Sequence, residues 1–410
     1  MSSEWPVVRL GDHVDSCLGK MLDAKKNKGI AQRYLGNSNV RWGNFDLSDL
    51  AEMRFESHEE ERYGLLPGDL VVCEGGEPGR CAIWAGAAGM KIQKALHRIR
   101  PKSTFNNYYL YYWMCHAANR GSLEQHFTGT TIKHLTGKAI AALEVPCPPI
   151  EMQLAMADVL KTLDDRITLL RETNTTLEAI AQALFKSWFV DFDPVHAKMR
   201  GRAPEGVDEA TAALFPDSFE ESELGPVPKG WSTGKLADIA SLKGGKMLDK
   251  KSFSDSGANP VFGGAGVMGF SALSNAEGFV ITVGRVGAYC GQYFWHQGRA
   301  WVNNNASLVS PLNPDNSCWL FLWLKSVDMD LIKKGAAQPF VSNGDISDLK
   351  IVLPPSFVVD KFVQFVEPIF QKLSSIREKT QSFEVLRDTL LPRLISGQLS
   401  VTQATVESEA

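Results

Sequence analysis

The sequence predicts an α+β protein in which two similar bodies are separated by two long antiparallel coiled-coil helices, a pseudo-two-fold internal repeat. Three observations predict it. The pentapeptide GKMLD stands at 19–23 and again at 245–249, and at that same offset of 226 Trp5, Leu10, Asp12 and Lys25 fall on Trp231, Leu236, Asp238 and Lys251. The segments LEVPCPP (143–149) and LKIVLPP (349–355) match at an offset of 206, so the second copy is about twenty residues shorter in its middle. After each Pro-Pro pair, apolar residues recur at alternating spacings of three and four. A period near half the chain means duplicated domains and not a solenoid of stacked repeats.

Residues 1–150 form the first body. Short β-type runs broken by glycine, such as GDLVVCEGGEPG (68–79), stand beside an aromatic run, YYLYYWM (108–114), long enough for two turns of buried helix. Strands and short helices without βαβ regularity read as α+β. From 151 to 190 the pattern becomes helical: Leu160, Leu163, Ile167, Leu170, Asn174, Leu177, Ala181, Leu184 and Trp188 take the a and d positions of a coiled coil. Forty residues at about 1.5 Å each make a rod roughly 60 Å long. Residues 191–230, rich in Pro, Gly and acid, read as an extended, partly mobile linker.

Residues 231–355 form the second body, with GFVITVGRVG (278–287) and WLFLWLK (319–325) as its strand and helix runs. The helix over 356–398 repeats the first seam at an offset of 206: Val366, Ile369, Leu373, Ile376, Thr380, Phe383, Arg387, Leu390 and Leu394. The fifth position is polar in both copies, a choice that fixes register. The first helix leads from one body to the next and the second leaves the second body, so pairing requires them to run antiparallel. Residues 399–410 read as a flexible tail.

No stretch approaches eighteen consecutive apolar residues, and MSSEWPVVRL lacks the basic and apolar regions of a signal peptide, so the expectation is a cytoplasmic protein with no membrane partner. The seven cysteines form no CxxC pair and read as reduced core residues. The net charge of −4 hides a segregation: residues 1–150 carry 18 basic against 16 acidic side chains, 231–355 carry 11 against 9, and the connectors hold the acidic excess. Mildly basic bodies are compatible with a nucleic-acid face but do not establish one.

The sequence offers no active site. Neither Gly19-Lys20 nor Gly245-Lys246 has the upstream glycine or following hydroxyl of a P-loop. Phe262-Gly263-Gly264-Ala265-Gly266 imitates the glycine loop of an S-adenosylmethionine enzyme, yet no NPP or DPP occurs to hold a flipped base. Pro216-Asp217 with Glu220 lacks the lysine of a metal nuclease, and the eight histidines show no metal-ligand spacing. Catalytic and metal residues are therefore expected to be absent.

Across nearly its whole length the chain resembles the specificity subunits of type I restriction–modification enzymes. The carriers are the opening Trp5…Arg9-Leu10-Gly11-Asp12 and Trp231…Lys235-Leu236-Ala237-Asp238, GDLVV near 68, the two Pro-Pro closures, EMQLAMADVLKTLDDRI, LFKSWFVDF, LGPVPKGW and LRDTLLPRLISGQLSV. The resemblance implies two target recognition domains, each reading one half of a bipartite double-stranded DNA site. It implies that the helices space the two readers and dock two methyltransferase subunits, with motor/nuclease subunits completing the complex. No cofactor is then expected on this chain; S-adenosylmethionine, ATP and Mg belong to the partners. A two-lobed protein-binding scaffold, and an orphan specificity subunit working with a methyltransferase only, stand as alternatives.

An element identical in both bodies cannot tell bases apart, so GKMLDxK is expected to serve what both halves share. Lys20, Lys25, Lys246 and Lys251 are the phosphate candidates, against a reading in which Met21, Leu22, Met247 and Leu248 pack inside and the lysines are solvated. Base readers must come from where the bodies differ. The candidates are Arg33, Asn37, Asn39, Arg41, Asn44, Gln93, Lys94, Thr130, Thr131 and Lys133 in the first body, and Arg285, Asn303, Asn304, Asn305, Gln338 and Asn343 in the second.

Overall fold

The computed structural model describes residues 5–23, 27–335 and 338–409, the last three of these by backbone only. The chain divides into two compact units: Met1–Leu169 with Thr380–Ala410, and Leu170–Lys379.

In the first unit a four-stranded antiparallel sheet runs in the order Val14–Leu18, Leu96–Pro101, Leu70–Cys73, Cys81–Ile83. A three-stranded sheet follows the order Glu52–Phe55, Ile30–Leu35, Lys91–Ile92, its last pair parallel. Val7–Arg9 pairs with Glu144–Pro146 and so ties the opening of the body to its Pro-Pro closure. The aromatic run forms the helix Asn107–Asn119, whose first turn is capped by Asn106 accepting from the Tyr109 amide. It buries Tyr109, Leu110, Tyr112 and Trp113 against the sheet.

The second unit has the same strand orders. Its sheets are Ala240–Gly244, Ala306–Pro311, Phe279–Gly284, Tyr293–Gln297; then Gly266–Ser271, Asn259–Gly263, Trp301–Val302; then Ser232–Lys235 with Lys350–Leu353. The run WLFLWLK lies in the helix Ser317–Ser326, buried on all sides from Ser317 to Leu324. Such an element cannot be amphipathic, which is why it reads as a bare apolar run.

The two long helices are Ile150–Phe189 and Ser356–Ile395, and each contributes a part to each unit. In the first unit Leu160, Leu163, Leu390 and Leu394 share one core with the body, Phe383 is packed against it, and Ile167 is buried. There Asp164 binds Arg387 at 2.9 Å, and Arg166 lies over the Phe383 ring. In the second unit Val366 and Leu373 belong to the core, Leu177, Leu184 and Ile369 pack against it, and Ile376 is buried while Leu170 is half-buried. There Glu178 binds Arg377 at 2.8 Å and Trp188 meets Phe362 with ring centroids 5.5 Å apart. In each unit, then, later residues of one helix meet earlier residues of the other. The same faces also cover the bodies, so the helices are parts of both cores and not a free-standing rod.

Two sequence expectations are corrected. Residues 191–230 are not an extended linker. They hold the helices Asp193–Met199 and Glu209–Ala213 and the hairpin Phe219–Ser222/Gly225–Pro228. Val195, Phe215 and Val227 are buried, and the Phe215 ring packs edge-on against Trp188 at 5.0 Å. Composition averages over such scattered apolar anchors, which is why the Pro- and acid-rich stretch reads as coil. Nor is 399–410 a tail throughout: Gly397 (φ +72°) turns the chain after the second long helix, Val401–Glu409 is helical, and Leu399 and Ala404 enter the first unit's core.

Candidate nucleic-acid interface

The repeated GKMLD is first of all a backbone device. A Cβ on Gly19 would stand 2.4 Å from the Gln93 carbonyl oxygen, and one on Gly245 would stand 2.0 Å from that of Asn303. Only glycine permits this crossing, which lets the Lys20 amide donate to Ile92 O (3.0 Å) and the Lys246 amide to Val302 O (2.9 Å). The side chains then part company. Lys20 is buried; its Nζ lies 2.5 Å from Glu59 Oε2, donates to Arg54 O (2.8 Å) and sits over the Phe55 ring. Lys246 and Lys251 are exposed. Lys20 is therefore corrected from phosphate candidate to internal ion pair, while Lys25 lies outside the described residues. The packing alternative fails for Met21, Leu22 and Met247, all exposed, and holds only for Leu248.

Four loops meet in the first body. At their centre is 74–79, between two sheet strands. Its Glu74 amide donates to Ala95 O (2.8 Å) and Glu74 O accepts from the Leu135 amide (2.7 Å). Asn37 Nδ2 donates to Gly75 O (3.0 Å). Gly76 has φ +74°, and a Cβ there would press on Asn37 Nδ2 at 2.7 Å. Ala95 itself is left-handed at φ +90°, a strained state for a residue with a Cβ. Thr128 and His134 exchange two backbone bonds of 2.8 Å, closing a hairpin whose tip carries Thr130, Thr131, Ile132 and Lys133, all exposed.

The second body repeats this arrangement. The Arg285 amide donates to Asn305 O (3.0 Å), and Arg285 O accepts from the Val341 amide (2.9 Å). Lys334 and Phe340 close a hairpin at the same offset of 206, with Gln338 exposed on its tip. Ala336 and Ala337 lie outside the described residues. The second residue of each hairpin is a left-handed glycine, Gly129 (φ +94°) and Gly335 (φ +85°). A Cβ on either would collide with the carbonyl three residues on, Ile132 O at 2.2 Å or Gln338 O at 2.6 Å.

The base-reading candidates divide by what their polar atoms already hold. Arg33, Arg41, Asn44, Lys94, Thr130, Thr131, Lys133, Asn304, Asn305 and Gln338 are exposed. Gln93, Asn37, Arg285 and Asn343 are partly covered, and Asn343 Oδ1 accepts from Ser307 Oγ at 2.6 Å. Asn39 and Asn303 are corrected. Asn39 is buried, accepting from the Gly36 amide and donating to Asp46 O and Asp49 O. Asn303 is buried, with Oδ1 accepting from the Asn304 amide at 2.6 Å. Both shape their loops and present no free edge to a base. Arg33 and Arg41 stand near carboxylates, Glu52 at 3.9 Å and Asp46 at 3.4 Å, whereas Lys94, Lys133, Lys246 and Lys251 have no carboxylate partner among the described residues.

The structure adds residues that a search for hydrogen-bonding types passes over. Ile132 at the first hairpin tip, and Val286, Tyr289 and Phe340 around the second, are exposed apolar groups beside the polar candidates. Their signal in the sequence is position next to the repeated glycines, not residue type. Glu56, His58 and Glu59 bring potential metal-ligand atoms within 4.8 Å of one another, but Glu59 Oε2 already holds Lys20 Nζ and the Glu56 amide. Among the described residues no helix is long and apolar enough to cross a membrane.

A family model described as "Type I restriction modification DNA specificity domain" matches residues 2–179 and 228–384. The chain is 24% identical to the type I restriction enzyme MjaIX specificity subunit of Methanocaldococcus jannaschii, over 77% of this chain and 74% of that one. It is 27% identical to the HindI specificity subunit of Haemophilus influenzae, over 66% and 72%. A crystal structure of a type I restriction–modification S subunit from M. genitalium superposes with a TM-score of 0.61 at 20% identity, covering 96% of both chains, which establishes likeness of fold.

Proposed function

The chain belongs to the type I restriction–modification DNA specificity family, and from that premise we propose how its two bodies divide the work. It is a DNA specificity subunit and not itself a catalyst. Each body reads one half of a bipartite double-stranded target through its converging loops. The observation that carries this reading is the repeated loop frame. The bonds from Glu74 to Ala95 and Leu135 recur as those from Arg285 to Asn305 and Val341, while the exposed side chains on that frame differ. An equal scaffold with unequal side chains is what two readers of different half-sites require, since phosphate contacts position a protein and base contacts specify its sequence.

The long helices are read as one antiparallel coiled coil and the whole chain as a pseudo-two-fold repeat, supported by the helix contacts within each unit and the shared strand orders. Two methyltransferase subunits dock on the assembly and carry S-adenosylmethionine; motor/nuclease subunits carry ATP and Mg. The complex works in the cytoplasm. The test is an exchange of residues 231–355 for the second body of a relative, followed by methylome sequencing. One half of the methylated site should change and the other should not; a change in both or neither rejects independent readers. The purified chain alone should transfer no methyl group.

A further inference from the structure

Ile132 is the large apolar side chain on the tip of the hairpin 128–134, among Thr130, Thr131 and Lys133, and it is 63% exposed. It belongs to neither core of the first body. Isolated apolar groups are common on protein surfaces, but this one has a fixed place. Thr128 and His134 exchange backbone bonds of 2.8 Å. The left-handed Gly129 (φ +94°) passes so close to Ile132 that a Cβ on it would stand 2.2 Å from the Ile132 carbonyl oxygen. The base of the hairpin is held as well. The Leu135 amide donates to Glu74 O at 2.7 Å, and a Cβ on Gly75 would stand 3.1 Å from His134 Nδ1. The backbone at Ile132 is thus set, and a β-branched side chain on it has little rotamer freedom to lose on contact.

The duplication gives the same place a second occupant. At the offset of 206 Ile132 falls on Gln338, exposed on the tip that Lys334 and Phe340 close. One frame therefore presents an amide in one body and an apolar group in the other. A glutamine pairs with the edge of adenine; the apolar feature that a base offers is the 5-methyl group of thymine, which lies in the major groove alone. That groove, about 12 Å wide, admits a two-stranded ribbon such as this hairpin, whereas the minor groove of B-form DNA, about 6 Å wide, is too narrow for it. Lys133 beside the tip is exposed and has no carboxylate partner among the described residues, so it supplies a cation for the flanking phosphates.

We infer that Ile132 is a specificity-determining residue that covers, from the major groove, the 5-methyl group of one thymine in the half-site of the first body. This rests on the first body being a reader of DNA, and it adds the base and the atom that the side chain meets. Cytosine at that place presents no methyl group and turns its amino donor toward a side chain that has no acceptor, so it is disfavoured twice.

The test uses the full chain assembled with its methyltransferase subunits, on the half-site that stays unchanged when residues 231–355 are exchanged. Each thymine of that half, on either strand, is replaced singly by uracil, which keeps the base pair and removes only the methyl group. One replacement should weaken binding about fourfold, the effect of one buried methyl group. Ile132→Ala should bind the thymine and uracil duplexes alike, and Ile132→Val should keep most of the difference. All three proteins should bind an unrelated duplex equally, which shows that the variants fold and assemble. A half-site without thymine, no uracil position that weakens binding, or a difference undiminished in Ile132→Ala overturns the inference while the two halves still follow the two bodies. An exchange that alters both halves or neither removes the reading of the bodies, and this inference with it.

Discussion

Lys20 Nζ lies 2.5 Å from Glu59 Oε2, in a site where both side chains are largely withdrawn from water. Glu59 belongs to the short helical segment 57–63, which lies between the strands Glu52–Phe55 and Leu70–Cys73. The corresponding strands of the second body are joined by 272–278 alone, without such an acidic segment. Identical pentapeptides thus lead to opposite fates, an internal ion pair at Lys20 and an exposed cation at Lys246. Lys20→Ala should destabilise the first unit by about 1–3 kcal/mol, because the half-buried Glu59 carboxylate loses its charged partner. Lys246→Ala should leave stability unchanged and make the slope of log affinity against log salt shallower by about 0.9. Thermal melts and salt titrations of both variants check this; equal behaviour of the two would refute it.

The same pair makes the first unit sensitive to acid. Burial alone would raise the Glu59 carboxyl, but the Lys20 hydrogen bond, the Glu56 amide and the charges of Lys20 and His58 hold it below the ordinary value of 4.5. A carboxyl depressed on folding contributes stability that is complete above its unfolded pKa and lost as pH falls through the folded one. The unit's stability should therefore decline below about pH 4.5. Glu59→Gln should be less stable at neutral pH and show a flatter acid limb in urea melts. An unchanged limb would place the acid sensitivity elsewhere.

The helix faces give a graded expectation. Ile376 is 2% exposed and Leu170 is half-buried. Ile376→Asp should cost more than about 3 kcal/mol, since it strands a charge among apolar neighbours, and Leu170→Asp should cost less. If both variants melt with the parent, these faces are not packed seams.

At the hairpin tips affinity and specificity should separate. Lys133, a base-reading candidate by residue type, is an exposed cation with no carboxylate partner among the described residues, which suits a phosphate contact better. Lys133→Ala should then weaken binding to cognate and unrelated duplexes alike, with a salt slope shallower by about 0.9. Gln338→Ala should relax discrimination at one position of one half-site by about 1–3 kcal/mol and leave the salt slope unchanged. Binding to a set of single-base variants, measured with the assembled complex, distinguishes these outcomes.

Much of the architecture was legible in the chain itself. The repeated GKMLD, the Pro-Pro closures and the three–four spacing depend on local periodicity and on backbone requirements that recur wherever the fold recurs. Glycine at 19 and 245 is demanded by a carbonyl only 2.4 or 2.0 Å from the Cβ it lacks, and such a demand is written in sequence. What the neighbours of a side chain are is not. Lys20 and Lys246 have the same local sequence, and only the segment bearing Glu59 hides one of them. Asn39 and Asn303 look like readers until burial shows their amides closing their own loops. Residues 191–230 read as coil because three buried anchors, Val195, Phe215 and Val227, are too few to lift the average composition of a Pro- and acid-rich stretch. Periodicity and backbone geometry are short-range and so were determined by the sequence alone. Burial and pairing depend on segments tens of residues away, and only the tertiary structure decided them.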